Sequence, residues 1–348
     1  MNDTFAGRLL LWFERHGRKD LPWQLDRTPY RVWISEVMLQ QTQVTTVVPY
    51  YLSFMESFPD VAALADAPVD DVLRHWSGLG YYARARNLCK AAREIRDNFG
   101  GEFPRAFDDV VALPGIGRST AGAILALARG ERHAILDGNV KRVLARYHAI
   151  EGWPGSSAVA SELWQAAEMH TPGNDVANYT QAIMDLGATV CTRTRPACSA
   201  CPLSVDCLAY TRGRIKDYPG QRARREKPMR RTHMVLAWCN DDVYLERRPP
   251  SGIWGGLWSL PEFACDDELS AWIRQRLNAE PVKVERWMPM RHSFSHYDLD
   301  IQPVAVRVER VSRTLADGDD GVWHDYTDSA PFGVAAPVRK LLDHLKTR

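Results

Sequence analysis

Apolar positions recur at helical spacing along the chain to about residue 211, and at strand spacing after Thr232. Asp3–His16 reads as an amphipathic helix with Phe5, Leu9, Leu10 and Phe13 on one side. Asp20–Tyr30 holds two prolines and is expected to be extended or looped. One long helix is predicted from Tyr30 to Leu52, with Val32, Trp33, Val37, Met38 and Val44 as its apolar positions. Asp60–Trp76 gives two short helices broken near Pro68, and Arg84–Asn98 a further helix ended by Gly100 and Gly101. Ser156–Gly187 is helical again, with Trp164, Met169, Tyr179, Ile183 and Met184 at core-like positions. Beyond Thr232, Met234–Trp238 and Val243–Arg247 form a strand pair. Gly252–Pro261 is a Gly/Trp-rich loop, Glu268–Leu277 a helix, Met288–Val308 two strands around a loop, and Gly333–Lys346 a closing helix.

The most informative stretch is Leu113–Arg142. Leu113-Pro114-Gly115-Ile116-Gly117 is a Gly-framed turn, and the Ala-rich helix Thr120–Arg129 follows it. A tight turn before a helix leaves backbone N–H groups directed outward, a setting suited to a phosphate oxygen. Asp137 comes next, in a short turn with Gly138 and Asn139.

A second carboxylate, Glu36, falls among Trp33, Val37 and Met38 and shares a helix face with Gln40. Such surroundings raise a carboxyl pKa and keep the proton that a general acid needs. Ser77–Arg86 (SGLGYYARAR) offers a Tyr at a loop tip. A protein that extrudes a base must fill the hole with a side chain.

Net charge is only +1, so charge alone says nothing about nucleic acid. Its distribution says more: Arg212–Arg231 carries nine Lys/Arg against two acids, with Pro219, Gly220 and Pro228, and reads as a basic linker. No secretory signal or membrane-spanning run is visible, so a cytosolic location without membrane attachment is expected. Of seven cysteines, Cys89, Cys239 and Cys265 are scattered and read as small core residues. Cys191, Cys198, Cys201 and Cys207 cluster as C-x6-C-x2-C-x5-C. Four thiolates so spaced can wrap one compact centre, an iron–sulfur cluster or a tetrahedral zinc.

The turn and its Asp resemble the helix-hairpin-helix of DNA glycosylases. SEVMLQQTQV around Glu36 resembles the first catalytic motif of MutY-type adenine DNA glycosylases. The cysteine spacing matches the cluster loop shared by endonuclease-III-like and MutY-like enzymes, and residues 232–348 resemble the Nudix-like C-terminal domain of the MutY family. The resemblance spans nearly the whole chain, with five motifs in the family's order.

It implies an all-α helix-hairpin-helix glycosylase core with an iron–sulfur loop, joined to an α+β Nudix-like domain. The expected boundaries are 1–211 for the catalytic domain, 212–231 for the linker and 232–348 for lesion recognition. Within the first, 22–130 forms one helical subdomain, while 1–21 and 131–211 form the cluster subdomain. The cofactor implied is a [4Fe–4S] cluster on the four clustered cysteines. The implied reaction is hydrolytic removal of adenine opposite 8-oxoguanine or guanine in duplex DNA, by a monomer of the bacterial cytosol or nucleoid.

Glu36 would protonate adenine, Asp137 would stabilise the oxocarbenium-like sugar, and Asn139 would orient Asp137 or the water. Trp23, Gln24 and Gln181 are candidates for packing against and reading adenine, with Gln40 and Gln41 as further base contacts. Tyr81 is the implied wedge with Arg84 beside it, and Gly115 and Gly117 the phosphate-binding turn. Phe294-Ser295-His296 matches the family's lesion-reading triplet.

Superfamily members that also cut the strand carry a Lys in the hairpin motif where this chain has Ser119, which implies a monofunctional enzyme. Lys141, near Asp137, is the candidate for residual strand cleavage. Three rivals stand beside this reading. An endonuclease-III-like lyase is opposed by Ser119, Glu36 and the third domain. A non-catalytic, cluster-bearing DNA-binding protein would not need either carboxylate. A nucleotide-pyrophosphate hydrolase would need several Glu on the helix after the Gly-rich loop, where the chain reads CDDELSAWIRQRL.

Overall fold

The computed structural model describes residues 4–222, 226–263, 269–294, 296–310, 321–328 and 332–347. In chain order the helices are α1 (Phe5–His16), α2 (Pro22–Leu25), α3 (Pro29–Leu39), α4 (Val44–Ser57), α5 (Val61–Asp66), α6 (Val69–His75), α7 (Ala83–Phe99), α8 (Phe107–Ala112), α9 (Arg118–Arg129), α10 (Gly138–Tyr147), α11 (Ser157–His170), α12 (Val176–Asp185) and α13 (Leu208–Thr211). Strands follow: β1 (Met229–Cys239), β2 (Asp242–Arg247), β3 (Trp258–Ser259) and β4 (Glu262–Phe263). Then come α14 (Leu269–Leu277), β5 (Ala279–Arg286), β6 (Met290–Ser293), β7 (Asp298–Arg310), β8 (Gly321–Asp325) and α15 (Ala336–Lys346). Residues 1–66 and 87–223 gather into one compact unit, and residues 67–86 and 224–348 into another. The expected all-α part followed by an α+β part is the observed class.

In the first unit the organising element is α9. Ala121–Leu127 are buried without interruption, and Ile124 and Leu125 are wholly inaccessible. Each such side chain contributes roughly 1.5–3 kcal/mol relative to exposure. Gly122 lets an extended segment cross α9 closely: a Cβ there would stand 2.7 Å from the Ala134 carbonyl. Ile135 and Leu136 are buried along that crossing, and Ser119 Oγ accepts the Leu136 N–H at 2.9 Å. Any side chain at position 122 would lift the segment that leads into Asp137.

Two predicted helices are broken. The expected Tyr30–Leu52 helix stops at Leu39 and restarts at Val44. Gln41 takes a φ of 59° and Gln43 is extended, so Gln40–Gln43 turns the chain. Four polar residues in a row give a continuing helix nothing to press on the core. The expected Ser156–Gly187 helix breaks between His170 and Val176. Pro172 disfavours helical dihedrals at Thr171, whose ψ is 114°. Met169, expected in the core, is 72 % exposed on the outer side of α11. The basic stretch is partly structured as well: Tyr218 is buried, and strand β1 begins at Met229.

The second unit is built on a mixed sheet. β1 pairs with β2, as expected from the alternation, and the pairing is antiparallel in the register Trp238↔Val243. It also pairs in parallel with β7 from Met229↔Asp298 to Trp238↔Arg307, a long-range match that local pattern cannot announce. Val235 and Ala237 of β1 and Val304, Val306 and Val308 of β7 pack with Leu269, Ile273 and Leu277 of α14 to form one core. Of the predicted helix Glu268–Leu277, Glu268 lies outside the described residues, as do Cys265 and Ser295.

Candidate active site

Glu36 and Asp137 line one cleft of about 550 Å³ in the first unit. Trp23, Gln40, Ser119, Asn139 and Gln181 line it with them. Of the residues singled out from sequence, Gln24, Gln41, Gly115 and Gly117 are not part of its wall. Gln41 is exposed. The Gln24 amide is buried, and neither its oxygen nor its nitrogen has a hydrogen-bond partner among the described residues.

Glu36 rides on α3, which starts with Pro29 and is capped by the Thr28 hydroxyl accepting from the Arg31 N–H at 3.2 Å. Its neighbours Trp33, Val37 and Met38 are buried. The residue keeps some surface open on the cleft, but its carboxyl end is enclosed. That burial, and secondarily the charge of Asp137, push its pKa from 4.5 up to about 8.

Asp137 is the N-cap of α10. Its Oδ1 accepts the Val140 N–H at 2.7 Å, and its Oδ2 accepts from Asn139 Nδ2 at 3.3 Å. Burial raises its pKa too, opposed by those hydrogen bonds and by the charge of Arg142. The positive end of a helix adds to that opposition. Asp137 is thus met by donors that oppose its rise, whereas burial and the Asp137 charge both push Glu36 upward.

Arg142 anchors this arrangement. It donates to Asn139 Oδ1 at 2.7 Å, to the Gly187 carbonyl at 2.6 Å and to the Cys191 carbonyl at 2.7 Å. Gly187 lies in a π-helical turn, Leu186–Val190, that extends α12. On α12, Gln181 Nε2 donates to Asp185 Oδ1 at 2.8 Å. Asp185 is 0 % exposed and receives Arg18 through its Nε at 2.9 Å, a terminal guanidinium nitrogen at 2.6 Å and its backbone N–H at 2.8 Å. Arg18, Arg142 and Asp185 were missed from sequence. Asp185 had a readable signal, a carboxylate between Met184 and Leu186 and one helical turn after Gln181. The two arginines had none. Trp23 is buried edge-on to Tyr51, with ring centroids 5.3 Å apart.

The hairpin turn precedes α9. Gly115 takes a φ of 80°, and a Cβ there would stand 2.8 Å from Asn87 Cβ. Ile116 is buried beneath it, and Gly117 offers no side-chain cap to the first N–H groups of α9.

In the second unit Tyr81 is half exposed, with a φ of 48°. Arg84, singled out as a DNA contact, is buried and donates to the carbonyls of Leu79 and Gly80 at 3.3 and 3.1 Å. It holds the loop that bears Tyr81. Phe294 follows β6, and its N–H bonds the Tyr297 carbonyl at 2.9 Å. Its ring packs between Trp254 and His292, at centroid distances of 5.2 and 4.6 Å, and His296 is exposed.

Cys191, Cys198, Cys201 and Cys207 share one neighbourhood. Burial, then the other three thiols among the further causes, push Cys201 up to about 12. Arg146 reaches Cys191 Sγ at 3.4 Å, and Cys207 Sγ donates to the Arg146 carbonyl at 3.5 Å. Among the described residues no three His, Cys, Asp or Glu side chains are gathered tightly enough to grip a single metal ion. No helix among the described residues is long and apolar enough to cross a membrane.

Residues 34–169 match the HhH-GPD superfamily of base excision DNA repair proteins, and residues 232–344 match the NUDIX domain. The adenine DNA glycosylase of Buchnera aphidicola subsp. Acyrthosiphon pisum (strain APS) is 37% identical over 98% of this chain and 97% of its own length. The Mus musculus adenine DNA glycosylase is 32% identical over 97% of this chain and 77% of its own. A solved thermostable thymine-DNA glycosylase superposes with a TM-score of 0.55 at 28% identity, covering 60% of this chain and 95% of that one. The chain belongs to the adenine DNA glycosylase family.

Proposed function

We propose that the protein removes adenine from duplex DNA by hydrolysing its N-glycosidic bond, and that the adenine it takes is paired with 8-oxoguanine or guanine. The observation that carries this reading is one cleft lined by two buried carboxyls in different settings: Glu36, which burial lifts to about 8, and Asp137, which caps α10 and accepts hydrogen bonds from Val140 and Asn139. Adenine leaves poorly as an anion. Glu36 gives its proton to ring nitrogen 7, and the bond from the sugar to nitrogen 9 breaks with its electron pair going to the base. Asp137 stabilises the oxocarbenium-like sugar left behind. Water adds at the sugar carbon and releases a proton, leaving an abasic site. Asn139 fixes the Asp137 oxygen that faces this chemistry, and Arg142 fixes Asn139. With Ser119 tied to the Leu136 N–H, the hairpin supplies no amine for a Schiff base.

The finer assignments follow the same reading. Trp23 and Gln181 pack against and read the base, Tyr81 fills the vacated stack, and the turn at Gly115 and Gly117 holds a phosphate. Phe294, Ser295 and His296 read the opposite base, and the enzyme acts as a monomer. The four clustered cysteines fit a [4Fe–4S] cluster by donor chemistry, being four soft thiols that feel one another's charge beside a buried arginine. Bound there, the group supplies iron–thiolate bonds that staple residues 191–207 into one loop. Arg142 hangs on the first carbonyl of that loop.

Single-turnover cleavage tests the reading, with Glu36→Gln and Asp137→Asn compared against the wild type on adenine opposite 8-oxoguanine and opposite guanine. Loss of base removal in both variants, with DNA binding retained, is the expected result. Full rates in both would overturn the reading.

A further inference from the structure

Arg146, on the last turn of α10, is 4 % exposed. Its guanidinium donates to the carbonyls of Thr192 at 2.8 Å, Tyr218 at 3.0 Å and Arg193 at 3.2 Å, and reaches Cys191 Sγ at 3.4 Å. No carboxylate among the described residues forms an ion pair with it. An arginine keeps its charge inside a protein, and a buried cation without a counter-charge is strongly destabilising. Carbonyl dipoles solvate such a charge but do not cancel it. The four neighbouring cysteines do so only as thiolates around a metal centre. Arg142 and Arg193 add to the positive side of this neighbourhood, since the charges of Arg146 and Arg193 both act on Arg142. Arg142 bonds the Cys191 carbonyl, whereas Arg146 brings a charged side-chain N–H to Cys191 Sγ; backbone N–H groups of Leu203 serve Cys201, and those of Ala209 and Tyr210 serve Cys207.

We infer that Arg146 is the internal counter-cation of the iron–sulfur site and sets its reduction potential through the N–H to Cys191 Sγ. The inference rests on the cluster assignment above. A cation beside the centre favours the form carrying one more electron, as does a hydrogen bond to a ligand sulfur. Removing both lowers the potential. A tenfold fall in the reduced-to-oxidised ratio at fixed potential corresponds to about 59 mV for a one-electron couple.

The test uses the full chain, reconstituted anaerobically with iron and sulfide, as wild type, Arg146→Met and Arg146→Lys. Iron content and visible absorbance report the cluster, and voltammetry without DNA reports the midpoint. The expected result is a lower midpoint in Arg146→Met, with Arg146→Lys nearer the wild type because it keeps the charge. Equal midpoints at full iron content would overturn the inference. If Arg146→Met fails to hold iron, Arg146→Lys decides. Full iron there supports the counter-cation. No iron in either variant means that the fork of carbonyl bonds matters, not the charge, and overturns the inference. A wild type without iron or absorbance would instead sink the cluster assignment itself.

Discussion

Glu36→Gln should lower activity and raise stability, and the gain in stability should depend on pH. Burial lifts the Glu36 carboxyl from 4.5 to about 8. Between those values the folded protein binds a proton that the unfolded chain has released. The Glu36 contribution is therefore fully present below pH 4.5 and is lost as pH rises through about 8. At about 1.4 kcal/mol per unit, the whole shift is worth at most about 5 kcal/mol. Between pH 6 and pH 9 the wild type should lose about 3 kcal/mol relative to the variant. Water entering the open side of the cleft trims this to roughly 1–3 kcal/mol. The amide does not titrate, so its own packing cost offsets both ends equally. The assay is urea unfolding of both proteins at pH 6, 7.5 and 9. The gap between midpoints should widen with pH while base removal in the variant falls by roughly 10²–10⁴-fold. A gap that stays constant from pH 6 to pH 9 would refute the claim that Glu36 is held neutral by burial.

Three further outcomes follow from the same geometry. Asp137→Asn keeps the cap on Val140 but removes the charge facing the sugar, so single-turnover rates should fall by about 10²–10³-fold with helix content unchanged by circular dichroism. Arg18→Ala strands the fully buried Asp185 carboxylate and should cost roughly 3–5 kcal/mol in denaturant unfolding; Asp185→Asn in the same background should recover part of it, and no loss in the single variant would remove the pair from the account. Gly115→Ala forces a Cβ toward Asn87 at a positive φ, so it should weaken duplex binding and cost about 1–3 kcal/mol. Unchanged salt-dependent affinity in that variant would argue that the turn does not meet phosphate.

Much of the fold was legible because local chemistry and burial agree. The α9 stripe, the glycine-framed turn before it and the β1–β2 alternation each carry their own signal. Glu36 was legible for the same reason: a carboxylate among Trp33, Val37 and Met38 has few ways to avoid desolvation. The failures are of two kinds. The breaks at Gln40–Gln43 and Thr171–Asp175 are invisible to periodicity because helical spacing persists on both sides of each. The second kind is non-local. Arg18 meets Asp185, and Arg142 meets Gly187 and Cys191, across long stretches of chain. Nothing near an arginine in sequence tells which distant carbonyl or carboxylate will receive it. Arg84 shows the converse, a cation beside an exposed Tyr81 that turns inward to hold its own loop.

The most direct measurement is single-turnover reaction on a duplex with adenine opposite 8-oxoguanine, with half of each time point treated with alkali. The account predicts strand breaks only after alkali, because hydrolysis leaves an abasic site and the hairpin carries Ser119 in place of an amine. Breaks without alkali would contradict it and point to Lys141. No breaks in either half, with tight binding retained, would leave a protein that holds the DNA and does no chemistry on it.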